Sequence, residues 1–313
     1  RLYDLGPDDT ILVDTGAYRV FSDIVIGAED GGAAGAPVVI QGPTLPGRAA
    51  TLTRENASPG TRVLEFDGAD GVTVRDLALV GGEIGVSAAG DADDLALERV
   101  SVTGTGDEGV SVGPDADRFR LLDAEVFATG DREAAVEIDG DDAVVRGGRI
   151  FDAWRGLRID GAGALVEDVE AFGHNDASGF AFRGGAASVF RRVTARDNAG
   201  IGVDLSGGGG AVATTLEESL LFGNSVGALG RSGAEIRGIV AYGNETGVIT
   251  QGALLADSRV FVNDVGVATS RNTFSRGASE LARNAIYSNL IGVEGVVSRF
   301  RGMTVEMFEN VVY

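Results

Sequence analysis

Glu137, Asp139, Arg158 and Asp160 are the residues of this chain best suited to acid–base chemistry. Asp139 and Asp160 occupy equivalent places in successive segments of a repeat, and Glu137 and Arg158 precede them by two residues. Two carboxyl groups a few ångströms apart split their pKa values, one staying protonated as a general acid while the other ionises. Arg183, at the matching place one segment on, adds a cation, and Asp204 adds an acid to the row of Glu137 and Arg158. The only Trp, Trp154, and the only His, His174, lie at corners beside this row. An indole stacks on a sugar ring, and an imidazole moves protons near neutral pH. In an enzyme, Asp139, Asp160, Arg158 and His174 would be catalytic, with Trp154, Arg183, Glu137 and Asp204 holding substrate. The same residues have a structural reading, in which Glu137 and Arg158 form a cross-strand ion pair and a corner His is solvated.

A second set of acids recurs at a fixed interval. Asp67, Asp91, Asp115 and Asp139 are each 24 residues apart, and so are Asp93, Asp117 and Asp141. Like charges stacked in register repel unless water, salt or a cation screens them. Adjacent turns carrying Asp91, Asp93, Asp115, Asp117 and Asp141 offer the oxygens Ca²⁺ prefers, about six to eight with backbone carbonyls. The competing reading is a solvated acidic edge, and the sequence has no EF-hand or nonapeptide calcium loop to set against it. No cofactor is required, and calcium is the ion the pattern admits.

The interval defines the elements that carry these residues. Short strands at 85–88, 109–112 and 135–138 each precede an acidic turn, and further strands follow, as at 95–97 and 100–102. Three short strands per period, with no helical pattern, cannot bury their apolar faces alone and must stack on neighbouring periods. The corner between second and third strands is expected at Asp76, Arg99, Asp123, Gly147, Asp168, Arg192, Glu218, Gly238, Asp257 and Asn284. On the first strand, Val86, Val110, Val136, Leu157, Phe180, Val203, Val248, Val267 and Val293 are expected to face inward. The row beside them, Ser87, Ser111, Glu137, Arg158, Ala181, Asp204, Ile249, Ala268 and Glu294, is expected to face outward. Return corners carry Asn175, Asn198, Asn224, Asn244, Asn263, Asn289 and Asn310, read as a hydrogen-bonded ladder in left-handed backbone. Residues 1–62 are less regular, with strands at 10–13 and 37–40 and loops at 31–35 and 42–47. They predict irregular first coils or a cap ahead of a regular β-helix over 63–313.

Four return corners read Asn-x-x-Gly, at Asn224 to Gly227, Asn244 to Gly247, Asn263 to Gly266 and Asn289 to Gly292. Over residues 63–313 the sequence resembles the right-handed parallel β-helix repeat family, the architecture of pectate-lyase-like proteins. The resemblance implies an all-β chain forming a single right-handed parallel β-helix of roughly 11 to 12 coils, three short strands to a coil. It implies no one activity, because the family includes lyases, hydrolases, epimerases, tail spikes and adhesins. Where such proteins are enzymes, it implies catalytic carboxylates and Arg residues on the first-strand face. Segments 8–13 and 68–74 also resemble β-helix modules of very large repetitive bacterial surface proteins.

Composition sets the remaining bounds. The chain has no Lys, so its 26 basic residues are all Arg, set against 47 acids for a net charge of −21. This usage predicts a high-GC or salt-adapted prokaryote, and the charge repels nucleic acid and anionic membranes. No run approaches the roughly 18 apolar residues of a membrane span. With no Cys there is no disulfide or thiol chemistry. A start at Arg1 without a leader-like segment predicts a piece of a longer secreted or cell-surface protein. Two functions stay open. One is a rigid spacer or interaction surface contacting polysaccharide or another surface protein, able to pair end to end through residues 311–313. The other is a carbohydrate-active enzyme: polysaccharide lyase, glycoside hydrolase or uronate epimerase. A uronate enzyme needs cations, and Arg158 and Arg183 are the only ones expected on the face. A single Trp and 6% aromatic content are thin for a long sugar cleft.

Overall fold

The computed structural model describes residues 4–130, 132–207, 213–231, 233–270, 279–296, 305–308 and 311–312. The chain is all-β, built from parallel sheets with three strands to a coil, and a 3-10 turn over Ala28–Asp30 is the only helical element among the described residues. It divides into two compact units, Arg1–Trp154 with Arg158–Gly161, and Arg155–Leu157 with Ala162–Tyr313.

In the first unit the first-strand sheet runs through Ile24–Gly27, Arg62–Asp67, Ile84–Ala89, Val110–Val112 and Ala134–Ile138, each parallel to the next. The second-strand sheet begins at Thr10–Leu12 and Val38–Gln41, and the third at Gly16–Arg19 and Ala50–Arg54. Residues 10–54 are therefore already coiled, with strands at Gly16–Arg19, Ile24–Gly27 and Ala50–Arg54 beside the two expected ones. The second unit repeats the plan, from Phe180–Arg183 to Ile291–Val296 in its first-strand sheet.

Alternation along each strand makes the core. Val110 is the register partner of both Val86 and Val136, and all three are fully buried. Each such side chain contributes about 1.5 to 3 kcal/mol when taken out of water. The corners between second and third strands fall at the expected positions, and they turn in left-handed backbone: Asp76, Arg99, Asp123, Gly147, Asp168, Arg192, Glu218, Gly238 and Asp257 have φ between 51° and 66°.

Asn residues behave differently from the expectation. The left-handed position precedes each one, at Asp197, Gly223, Gly243, Val262, Arg283 and Ser288, so it is not Asn284 or the return-corner Asn that takes the strained backbone. The Asn side chain turns inward, where one amide satisfies several backbone groups at once. Asn198, Asn224, Asn244 and Asn263 each donate Nδ2 to the next Asn Oδ1, at 2.7, 3.1, 3.1 and 3.0 Å, ending on Asn289. Asn175 is exposed and outside this ladder; His174 takes the place, its N–H donating to Asn198 Oδ1 at 3.1 Å. Asn310 and Tyr313 lie outside the described residues. A second ladder, unforeseen, lies on the third-strand sheet, where Phe222, Tyr242, Phe261 and Tyr287 stack with centroids 5.1, 5.4 and 5.1 Å apart.

Candidate functional site

The first unit gathers Glu133, Glu137, Asp139, Arg158 and Asp160 into one cluster. Glu137 stands on the strand Ala134–Ile138, whose alternation buries Val136 and Ile138 and turns Glu137 to the other face. Ser87, Ser111 and Glu137 are in register on adjacent strands, as the repeat requires. Arg158 is the hub. Its Nε and Nη2 donate to Asp160 Oδ2 at 2.9 and 2.7 Å, its Nη2 lies 3.1 Å from Glu137 Oε1, and its Nη1 lies 3.7 Å from Glu133 Oε2. Burial works against the guanidinium's charge, but Asp160, Glu137 and Asp139 outweigh it and hold the pKa above its ordinary value.

Glu137 is the most perturbed carboxyl of the cluster. Burial pushes its pKa up to about 7; Arg158 opposes the shift, while Asp139, Glu108 and Glu133 add to it. One guanidinium divided among several acids does not restore what Glu137 loses on leaving water. Burial also raises Asp139, against Arg158, and its Oδ1 is buried with no hydrogen-bond partner among the described residues. Asp139 and Asp160 thus share one site, with Glu137 as the carboxyl that carries a proton near neutrality. That arrangement is able to give and take a proton.

Glu108 and Glu133 are the acids that sequence reasoning missed. Burial raises the Glu108 pKa, and burial followed by the charge of Glu133 raises that of Asp107. The signal was present: Glu83, Glu108 and Glu133 recur every 25 residues, each next to the first strand of its coil.

The other proposed residues lie in the second unit, apart from Trp154. Two expected alignments are corrected there: Phe182, not Phe180, is the partner of Val203, and Arg183, not Ala181, is the partner of Asp204. The corner before this strand is longer than it looked, because Asp176 closes a turn on itself, accepting from Ser178 N–H and Gly179 N–H at 2.9 and 3.0 Å. Asp176 also accepts from Arg155 Nε at 2.6 Å, and Arg155 and Arg183 lie 5.9 and 5.8 Å from the Phe180 ring centroid. Arg183 makes no ion pair among the described residues, and Asp204 accepts from Ser206 N–H at 2.9 Å. His174 is buried, at 3% exposure, and is not a solvated corner residue. It packs on Gly156, where a Cβ would lie 2.9 Å from His174 Nε2 and 2.0 Å from Ala181 O, so no larger residue fits. Trp154, in the first unit, is half-buried and makes no ring-stacking or cation–π contact among the described residues.

The recurring Asp residues form a ladder of another kind. Asp70, Asp93 and Asp117 each accept, through Oδ1, the backbone N–H of Asp93, Asp117 and Asp141, at 2.9, 2.7 and 2.8 Å. Arg118 covers the outer oxygens, bridging Asp93 and Asp94 at 2.8 and 3.0 Å. Asp91, Asp115 and Asp141 are exposed. Among the described residues, no three His, Cys, Asp or Glu side chains converge closely enough to hold a metal ion.

No protein-family model matches the sequence, and no curated protein matches it significantly. Solved structures do resemble it. The A-module of the mannuronan C-5 epimerase AlgE6 of Azotobacter vinelandii is similar at 17% identity and a TM-score of 0.75, covering 96% of this chain and 90% of that one. A mannuronic-acid-specific polysaccharide family 6 lyase from human gut microbiota is similar at 12% identity and a TM-score of 0.62, covering 93% and 78%. The catalytic domain of a GH87 α-1,3-glucanase matches at 14% identity and a TM-score of 0.66, covering 96% and 64%. Likeness at such identities shows the fold alone: this chain is a right-handed parallel β-helix.

Proposed function

We propose that the protein is a secreted or cell-surface β-helix module that holds a neutral polysaccharide against the first-strand face around Arg158. The observation that carries this is the state of Arg158. Glu133, Glu137 and Asp160 already surround its guanidinium, which leaves it little charge for a substrate carboxylate. What the face offers is an array of carboxyl and guanidinium groups suited to sugar hydroxyls, in a chain whose charge of −21 repels polyanions. Neighbours named as epimerase, lyase and glucanase support polysaccharide as the partner. The neutralised cation favours glucan-like chains over the uronates of the first two.

Glu137 favours a second, enzymatic form of this reading. A carboxyl poised near pH 7 beside Asp139 matches the proton donor and second carboxylate that glycosidic cleavage needs. The test is affinity electrophoresis and calorimetry against neutral glucans, mannans and polyuronates. A neutral glycan is expected to bind, polyuronates are not, and Asp139→Asn is expected to weaken binding about tenfold. Preference for a polyuronate, or binding to no glycan, overturns the reading. New reducing ends formed by wild type and absent with Glu137→Gln decide for the hydrolase.

A further inference from the structure

The small residues at 31–35 and the Asp ladder take no part in the cluster around Arg158, yet the fold brings them together. Gly32 N–H donates to Asp70 O at 2.8 Å, and Ala33 and Ala36 exchange N–H···O bonds of 3.0 and 2.9 Å. Residues 31–37 therefore form a closed turn pinned to the coil beside it. The fit is tight, since a Cβ at Gly32 would lie 2.6 Å from Gly71 O and 2.7 Å from Val38 N. Beneath this turn is a recess of about 540 Å³, walled on one side by Ala33, Ala34 and Pro37 and on the other by Asp93, Asp94, Arg118 and Arg120. Small-molecule sites commonly measure about 300 to 1,000 Å³ and pair apolar walls with a few fixed polar groups.

The polar side is held in place before any ligand arrives. Arg118 Nε and Nη2 grip the two oxygens of Asp94 at 3.0 Å each, and Nη2 also reaches Asp93 Oδ2 at 2.8 Å. Arg120 is exposed and makes no ion pair among the described residues, so its guanidinium is available to donate. Asp70, Asp93 and Asp94 outnumber Arg118 and Arg120, which disfavours phosphate or carboxylate and leaves hydroxyls as the matching groups.

We propose that this recess binds a short neutral saccharide or a chain end, of about one to three sugar units. Ala33, Ala34 and Pro37 pack on the C–H face of a ring, while Asp94, Arg118 and Arg120 hydrogen-bond its hydroxyls. Naming a saccharide rests on the polysaccharide reading above; the recess itself does not.

The intact chain is titrated with gluco- and mannotrioses by saturation-transfer NMR and calorimetry, alongside Ala34→Trp and Arg120→Ala. Ala34 is exposed at the tip of the turn, so Trp there fills the recess without entering the core. A trisaccharide is expected to bind, with each variant weakening it about fivefold or more at unchanged melting temperature. Trisaccharide binding that both variants leave intact overturns the site. So does binding of polymer without any trisaccharide binding at about 10 mM, which leaves the Arg158 reading standing. Trisaccharide binding lost in both variants, with no polymer retained, supports the recess and removes the Arg158 reading.

Discussion

Glu137 is costly to the fold in its ionised form. Its pKa of about 7 lies above the ordinary 4.5, and burial is the first cause. Between those two values the unfolded chain has released this proton while the folded chain keeps it. Stability therefore falls as pH rises through the window, and the penalty is complete above pH 7. The full shift would amount to roughly 3 kcal/mol, and partial solvent access reduces that to about 1 to 2 kcal/mol. Gln at this position carries no charge and leaves Arg158 with Glu133 and Asp160. Thermal melts of Glu137→Gln are expected to exceed wild type by a few degrees at pH 8 and to coincide with it at pH 5. Equal melting at pH 8 would mean that Arg158 fully compensates the carboxylate. The cluster was partly legible in the sequence, because Glu137, Asp139, Arg158 and Asp160 sit where the repeat aligns them. The ranking within it was not, since Asp139 and Asp160 were the expected acid–base pair. Which acid loses most on leaving water depends on how Glu108 and Glu133 crowd Glu137, and spacing says nothing of that.

At the scale of the element, the Asn ladder shows how buried amides hold coils together. Asn244 Nδ2 donates to Leu221 O, Tyr242 O and Asn263 Oδ1, while its Oδ1 accepts from Asn224 N–H and Nδ2. Ala at this position strands buried donors and acceptors on two neighbouring coils. The expected cost is about 3 to 5 kcal/mol, read as a lower urea midpoint. Asn175→Ala is expected to stay within about 0.5 kcal/mol of wild type, because Asn175 is exposed. Similar midpoints for the two would show that water replaces the amide at 244. The Asn-x-x-Gly corners announced this ladder, but the place of His174 within it was hidden, as was the two-residue slip that pairs Phe182 with Val203. Both arise in the corner after Gly173, where a turn closed by Asp176 takes up extra residues that counting alone cannot assign. Phe222, Tyr242, Phe261 and Tyr287 escaped for a related reason. They are 20, 19 and 26 residues apart, so coils of unequal length carry a regular stack that no fixed period reveals.

For the whole molecule the governing quantity is a charge of −21 carried without a single Lys. Part of that repulsion is taken up locally, since the Asp70, Asp93 and Asp117 carboxylates accept backbone N–H groups and Arg118 covers Asp93 and Asp94. These hydrogen bonds and ion pairs offset part of the repulsion between neighbouring turns, so they let acids stack in register without requiring an ion between them. Exposed acids such as Asp91 and Asp115 make no such bond among the described residues and act on one another through water. Raising NaCl from about 0.02 to 0.5 M shortens the screening length several-fold and is expected to raise the melting temperature by several degrees. The source of the gain is separable. If screening alone is at work, EDTA at low salt leaves the transition unchanged, and CaCl₂ and MgCl₂ at equal ionic strength stabilise equally. A gain specific to Ca²⁺, reversed by EDTA, would instead place an ion between neighbouring Asp turns, because diffuse screening depends on valence and not on which divalent cation supplies it.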